Sequence, residues 1–284
     1  MTSTAVPTIT LHDQTTIPQL GFGVFQVPPD DTAQAVSQAF EVGYRHVDTA
    51  QMYGNEAGVG EALASSGLAR DEVYVTSKLN NGFHRPADAR RSFEETLQKL
   101  RLDRIDLFLV HWPLPARYDG DYVSTWRTLA EFVADGRAAS VGVSNFQPDH
   151  LDRIIAETGV VPVVNQVEVH PYFRNEAVRE ADARHGVATE AWSPIAQGAV
   201  LDDEVITRVA DETGGTPAQV TLRWHLQRGD IVFPKSTRIE RMRENFGALD
   251  IELSAEQLAA IDGLDRGEGG RSGPDPDSFD YIPD

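Results

Sequence analysis

Apolar, β-branched runs recur along the chain at 20–23, 44–48, 73–78, 105–111, 138–144, 163–168, 188–193 and 231–235. Between them lie segments whose apolar residues return every three or four positions, such as DTAQAVSQAFEVG at 31–43, ADARRSFEETLQKL at 87–100 and PDHLDRIIAETG at 148–159. Continuous apolar runs read as strands buried on both faces, and the longer spacing reads as helices with one apolar stripe. Strands alternating with helices at roughly 25 to 40 residue intervals pair in parallel through right-handed crossovers. Eight such units predict an α/β chain closed into a (β/α)8 TIM barrel.

The segment TITLHDQTTIPQLG at 8–21 breaks this rhythm. Two short β-prone runs flank the polar HDQ, which predicts an N-terminal β-hairpin. No repeat of 20 to 50 residues and no linker divides the chain, so residues 1–284 are read as a single domain. The stretch 263–284 is rich in Gly, Pro and Asp, with few apolar residues. It reads either as a frayed tail or as a loop folding across the barrel mouth, anchored by Phe279 and Tyr281.

The length of 284 residues suits one α/β barrel of about 250 residues or two ordinary domains. A formal charge of −19, from 44 acidic and 25 basic residues, opposes attraction to phosphate backbones and acidic membrane surfaces. Neither nucleic acid nor membrane is expected as a partner. There is no cysteine, which excludes a disulfide framework, a thiolate nucleophile and a cysteine-ligated metal, and fits a reducing cytoplasm. MTSTAVPTIT at the N-terminus lacks a basic start and apolar core, and no run of about 18 apolar residues follows. A soluble cytoplasmic monomer is expected.

Asp48, Lys78 and His111 end predicted strands, and Tyr53 follows Asp48 by five residues. Separate strands can therefore deliver all four side chains to one rim. Such a set suits carbonyl reduction, because hydride arriving at a carbonyl carbon leaves charge on oxygen that an acid must quench. Tyrosine, with a pKa of about 10, is a reluctant acid, and the Lys78 ammonium is expected to lower its pKa. Asp48 would keep that lysine charged away from water. His111 would hold the carbonyl oxygen.

A dinucleotide-binding glycine fingerprint is missing. GFGVFQ at 21–26 and GVGEAL at 58–63 both lack the third glycine. PKSTRIERMRENF at 234–246 instead places Lys235 and Ser236 at the last strand's end, beside a helix carrying Arg241, Glu244 and Asn245. Cations and a hydroxyl near a helix N-terminus make a phosphate site.

The blocks GYRHVDTAQMYGNEAGVG at 43–60, SKL at 77–79, LVHWP at 109–113, GVSNF at 142–146, NQVEVHP at 165–171 and FPKS with its later Arg and Glu-Asn over 233–245 occur in one order across nearly the whole chain. In that order they resemble the aldo-keto reductases, and most resemble bacterial 2,5-diketo-D-gluconate reductases. The resemblance implies an NADPH-dependent reductase of aldehydes and ketones, small carbonyls, dicarbonyls or keto-sugar acids, with a small-molecule carbonyl substrate. It implies that Lys235, Ser236 and Arg241 hold the 2′-phosphate, with Thr237 and Arg238 beside them, and that Glu244 and Asn245 face the adenine. Ser144, Asn145 and Gln166 would meet the nicotinamide amide and Trp192 would stack on its ring. Ser193, Ile195, Gln197 and Gly198 would follow the pyrophosphate, and Val24 and Phe25 complete the cofactor set. It also implies that the hairpin caps the N-terminal end of the barrel and that the C-terminal loop crosses its mouth.

Phe25, Asn80, His111 and Trp112 are the expected substrate-binding residues. Asn80 departs from the family, which often places an aromatic wall there, so a sugar-acid substrate does not transfer automatically. Two other readings stay open. His46, Asp48, His111, Glu168 and His170 could ligate a metal, although the resemblance implies none. The chain could also be a nicotinamide-binding regulatory module with little turnover.

Overall fold

The computed structural model describes residues 5–283. Two short strands, β1 (Thr8–Thr10) and β2 (Thr16–Pro18), pair antiparallel with Ile9 opposite Ile17. The barrel strands follow as β3 (Phe22–Gly23), β4 (His46–Asp48), β5 (Tyr74–Leu79), β6 (Ile105–Val110), β7 (Ala138–Ser144), β8 (Val164–Glu168), β9 (Ala188–Trp192) and β10 (Ile231–Val232). Each pairs in parallel with the next, in sequence order from β3 to β10. The two edges meet where Gly21 N donates to Val232 O at 2.7 Å and Val232 N donates to Gln19 O at 2.9 Å, which closes the barrel.

The strands fall where the apolar runs predict them, mostly trimmed by a residue or two. The last loses the most of its predicted run, ending at Val232, because Pro234 has no N–H to continue the ladder. Gly142 inside β7 is required by packing: a Cβ there would sit 2.8 Å from Leu109 and Val164 side-chain atoms. A larger residue would push the interior apart.

Around the strands lie α1 (Pro29–Val42), α2 (Glu56–Ser65), α3 (Pro86–Leu100), α4 (Tyr122–Ala134), α5 (Pro148–Thr158), α6 (Glu176–His185), α7 (Glu204–Thr213), α8 (Pro217–Gln227), α9 (Ile239–Phe246) and α10 (Ala255–Asp262). Prolines open α1, α3, α5 and α8, where a missing N–H costs nothing. Reciprocal caps start α8 (Thr216 with Gln219) and α10 (Ser254 with Gln257). Their buried faces join the strands' outer faces in one large core. Among the described residues no helix is long and apolar enough to cross a membrane.

The predicted hairpin plugs the N-terminal end. Its Leu11 and Ile17 pack with Leu107, Leu109, Val164 and Ile231. Asp13 accepts from Ser140 Oγ at 2.6 Å and from Thr15, which locks the turn onto β7.

The C-terminal segment crosses the opposite end. Phe279 stacks on Trp112 with ring centroids 4.1 Å apart. Tyr281 anchors differently from the expectation: the residue is 56% exposed, and its backbone carbonyl accepts from Asn81 Nδ2 at 2.9 Å. Arg117 pairs with Asp280 at 3.0 Å.

Candidate active site

Lys78 at the end of β5 is fully buried, and its ammonium donates to Asp48 Oδ1 at 2.7 Å, Thr49 O at 2.9 Å and Tyr53 Oη at 3.3 Å. Three acceptors for three protons leave this cation fully satisfied. Parallel pairing of β4 with β5 sets the geometry, because Asp48 lies opposite Thr76, two residues before Lys78. The turn Gln51–Tyr53 then lifts the phenol over the lysine. Gln51 pins that turn by donating to Ser92 O and Thr96 and accepting from Asn80 N. Asn55 ties it to the first barrel loop through Thr49, Val24 O and Val27 O.

Burial pushes the Lys78 ammonium down, but Asp48 and then Tyr53 outweigh it and hold it above its ordinary value. Tyr53 moves against the sequence expectation. Burial drives its pKa up, Lys78 draws it back, Asp48 pushes it up again, and the net shift is upward. The lysine's field is real, yet desolvation of a phenolate is the larger effect. The Tyr53 phenol thus keeps its proton across the neutral range.

The His111 ring meets Tyr53 edge-on at 5.8 Å. Burial, then Lys78, then His84 push its pKa well below the usual histidine range, so the ring is neutral and can donate from one nitrogen. Its Nδ1 has no hydrogen-bond partner among the described residues. Phe25, 56% exposed, lies over Tyr53 at 5.0 Å. Trp112 sits under Phe279. Asn80 is turned into its own loop, where Oδ1 accepts from Gly82 N at 2.8 Å.

The residues expected around a nicotinamide form one network. Trp192 Nε1 donates to Asn145 Oδ1 at 2.9 Å, and Asn145 Nδ2 donates to His111 O and Ser144 Oγ. Gln166 Nε2 donates to Asp48 Oδ2 at 2.9 Å and to Glu190 Oε2 at 2.8 Å. Ser193, Ala196 and Gln197 all have φ near 50°, with Gly198 at 98°, so the loop after β9 holds a strained left-handed path. Ile195 packs against the core beside it. Val24 is fully buried, its amide donating to Asp48 O and its carbonyl accepting from Asn55.

At the last strand, Lys235, Thr237, Arg238 and Arg241 are exposed around the start of α9, while Ser236 and Asn245 are buried and Glu244 is half-buried. Ser236 Oγ accepts from Arg238 N at 3.0 Å. Lys235 and Arg241 make no ion pair among the described residues, although acidic residues outnumber basic ones 44 to 25. Two cations kept free of carboxylates beside a helix N-terminus suit a phosphate ester.

The alternative metal set does not converge. Glu168 accepts from His170 at 2.9 Å and from the backbone of Ser272 and Gly273, so it anchors the C-terminal segment. His46 is spent on Pro18 O and Thr76. Among the described residues, only Asp149, His150 and Asp277 lie close enough together for one ion, and His150 Nδ1 already accepts from Gln147 N.

Sequence reasoning missed Glu190, Gln51 and the tail-anchoring role of Glu168. Glu190 had a readable signal, a lone acid inside an otherwise apolar strand run. Burial, then the Asp48 charge, push its carboxyl up to about 8, and burial pushes Asp182 up to about 7. Both contribute stability that is complete below their ordinary values near 4.5 and 3.8 and is lost as pH rises through about 8 and about 7. His46 and His84, pushed down by burial to about 4 and about 3, contribute stability that is complete above 6.5 and lost on acidification. Above pH 6.5 these histidines are neutral in both states while the two acids still lose their contribution, so the melting temperature is expected to fall from about pH 6.5 until about pH 8, where the loss is complete. Glu190→Gln and Asp182→Asn should flatten that fall; an unchanged slope in both would contradict the assignment.

The model of the Aldo/keto reductase family matches residues 19–266. The methylglyoxal reductase DkgA of Yersinia pestis is 48% identical over 279 residues, covering 97% of this chain and 98% of that protein. An aldo-keto reductase of Mycolicibacterium smegmatis is 46% identical over 276 residues, covering 97% and 99%. The crystal structure of a Gox0644 mutant in complex with NADPH superimposes with a TM-score of 0.93 at 45% identity, covering 98% of this chain and all of that one. With that match over nearly its full length, the chain belongs to the aldo/keto reductase family, the NADP(H)-dependent oxidoreductases of carbonyl compounds.

Proposed function

We propose that this chain reduces small aldehydes, ketones and dicarbonyls with NADPH, on a single barrel domain, with Tyr53 as the proton donor. The observation that carries this is the Lys78 ammonium, buried and shared between Asp48 and Tyr53 at 2.7 and 3.3 Å. When bound, NADPH supplies the hydride. Tyr53 gives its proton to the developing alkoxide, Lys78 stabilises the phenolate left behind, and Asp48 keeps Lys78 charged. Neutral His111 donates a hydrogen bond that orients the carbonyl oxygen. Phe25 and Trp112 wall the substrate, with Asn80 shaping the loop beside them.

Asn145, Ser144 and the outward oxygen of Gln166 would meet the cofactor's carboxamide, and Trp192 its ring. Val24 and Phe25 border that end, and Ser193, Ile195, Gln197 and Gly198 line the pyrophosphate path. Lys235, Ser236, Thr237, Arg238 and Arg241 would hold the 2′-phosphate, with Glu244 and Asn245 toward the adenine. A methylglyoxal-like dicarbonyl is the substrate class suggested by the Yersinia pestis relative. Large exposed apolar side chains among the described residues are limited to Phe25, Val133 and Tyr281, which supports a monomer.

Charge-assisted hydrogen bonds contribute roughly 1.5–3 kcal/mol each, so Arg241 should favour NADPH over NADH by ten-fold or more. Arg241→Ala is expected to weaken NADPH binding by that factor and leave NADH nearly unchanged in fluorescence titration. Equal weakening of both would remove the phosphate role. The assay for turnover itself is NADPH oxidation in the presence of an aldehyde.

A further inference from the structure

Beneath Tyr53, four strands of the barrel gather two carboxyls and a single cation. Glu190 from β9 is fully buried, and its Oε2 accepts from Gln166 Nε2 at 2.8 Å. The same nitrogen donates to Asp48 Oδ2 at 2.9 Å, and the other Asp48 oxygen receives Lys78 at 2.7 Å. Glu190 Oε1 has no hydrogen-bond partner among the described residues. One ammonium cannot neutralise two ionised carboxylates away from water, so one of the pair must hold a proton. Asp48 carries the ion pair; Glu190 is the neutral member. Its accepting oxygen is then the carbonyl oxygen, and the proton resides on the unpartnered Oε1.

This arrangement also fixes Gln166. The Asp48 carboxylate can only accept, so the Gln166 amide nitrogen must face it and the amide oxygen must face away. We propose that Glu190 is a positioning residue for carbonyl reduction: through Gln166 it holds the Asp48 carboxylate that turns Lys78 toward Tyr53, and its own ionisation disables the set. The role presupposes the reductase chemistry proposed above. A second negative charge beside Asp48 draws on the Lys78 field and makes Tyr53 a weaker acid. The groups facing Glu190 are Asp48 from β4, Lys78 and the buried, unpartnered Tyr74 hydroxyl from β5, and Gln166 from β8. Ile231 and Val232 of neighbouring β10 bring no titratable group.

The test is kcat for aldehyde reduction at saturating NADPH, followed against pH in the full-length wild type, Glu190→Gln and Glu190→Leu. The wild-type rate should fall above about pH 8. Glu190→Gln keeps the acceptor and cannot ionise, so the fall should move up by at least a pH unit. Glu190→Leu loses the acceptor, and its rate at pH 7 should drop about ten-fold, as for a one-unit loss in Tyr53 acidity. Rescue by Gln but not Leu separates positioning from packing. An active wild type whose alkaline fall is shared by Glu190→Gln overturns the proposal alone. A wild type without turnover overturns the reductase reading and this role together.

Discussion

Tyr53→Phe should reduce carbonyls at least ~10²-fold more slowly than the wild type while binding NADPH almost as well. The substitution removes one oxygen, and that oxygen is the group in the site that Lys78 touches and that carries a transferable proton. Phenylalanine keeps the ring against Phe25 and His111 at centroid distances of 5.0 and 5.8 Å, so the pocket's apolar shape persists. The upward shift of the Tyr53 pKa means the wild-type donor stays loaded across the neutral range. Stopped-flow hydride transfer together with fluorescence titration of NADPH checks both halves. A mutant turning over at the wild-type rate would move the proton donor elsewhere.

Lys78→Met should damage activity and fold together. Lys78 and Asp48 are 0% and 3% exposed, so removing the ammonium strands a buried carboxylate. Breaking such a pair from one side costs about 3–5 kcal/mol, equivalent to a fall in melting temperature on the order of 10 °C for a domain of this size. Tyr53 loses the one interaction that favours its phenolate. Reduction should therefore collapse even in the folded fraction. Asp48→Asn should be milder, because Thr49 O still accepts from the ammonium at 2.9 Å. A Lys78→Met protein with the wild-type pH profile and rate would make the lysine structural only.

The barrel was legible because each strand is a continuous apolar run, and the set Asp48, Tyr53, Lys78 and His111 because three of its members end such runs. What burial does to a phenol was not legible: the sequence displays Lys78 beside Tyr53 but not the desolvation that reverses the net shift. The tail was ambiguous for a related reason. Its anchors are contacts between Glu168 and Ser272, 104 residues apart, and a Gly, Pro and Asp composition says nothing about such pairing. Asn80 was readable as a departure from relatives, but not its use as a cap on Gly82, nor the approach of Phe279 to Trp112. Glu190 was visible as an acid in a strand. Its meaning required knowing that β8 and β9 register it beside Gln166.

The proton-relay account and the regulatory alternative separate in one experiment. Purified wild-type protein is mixed with NADPH and a reactive aldehyde such as a nitrobenzaldehyde, and cofactor absorbance and alcohol formation are followed together. The account expects one NADPH oxidised for each alcohol formed, over many turnovers. Tight NADPH binding with no oxidation and no alcohol would contradict it.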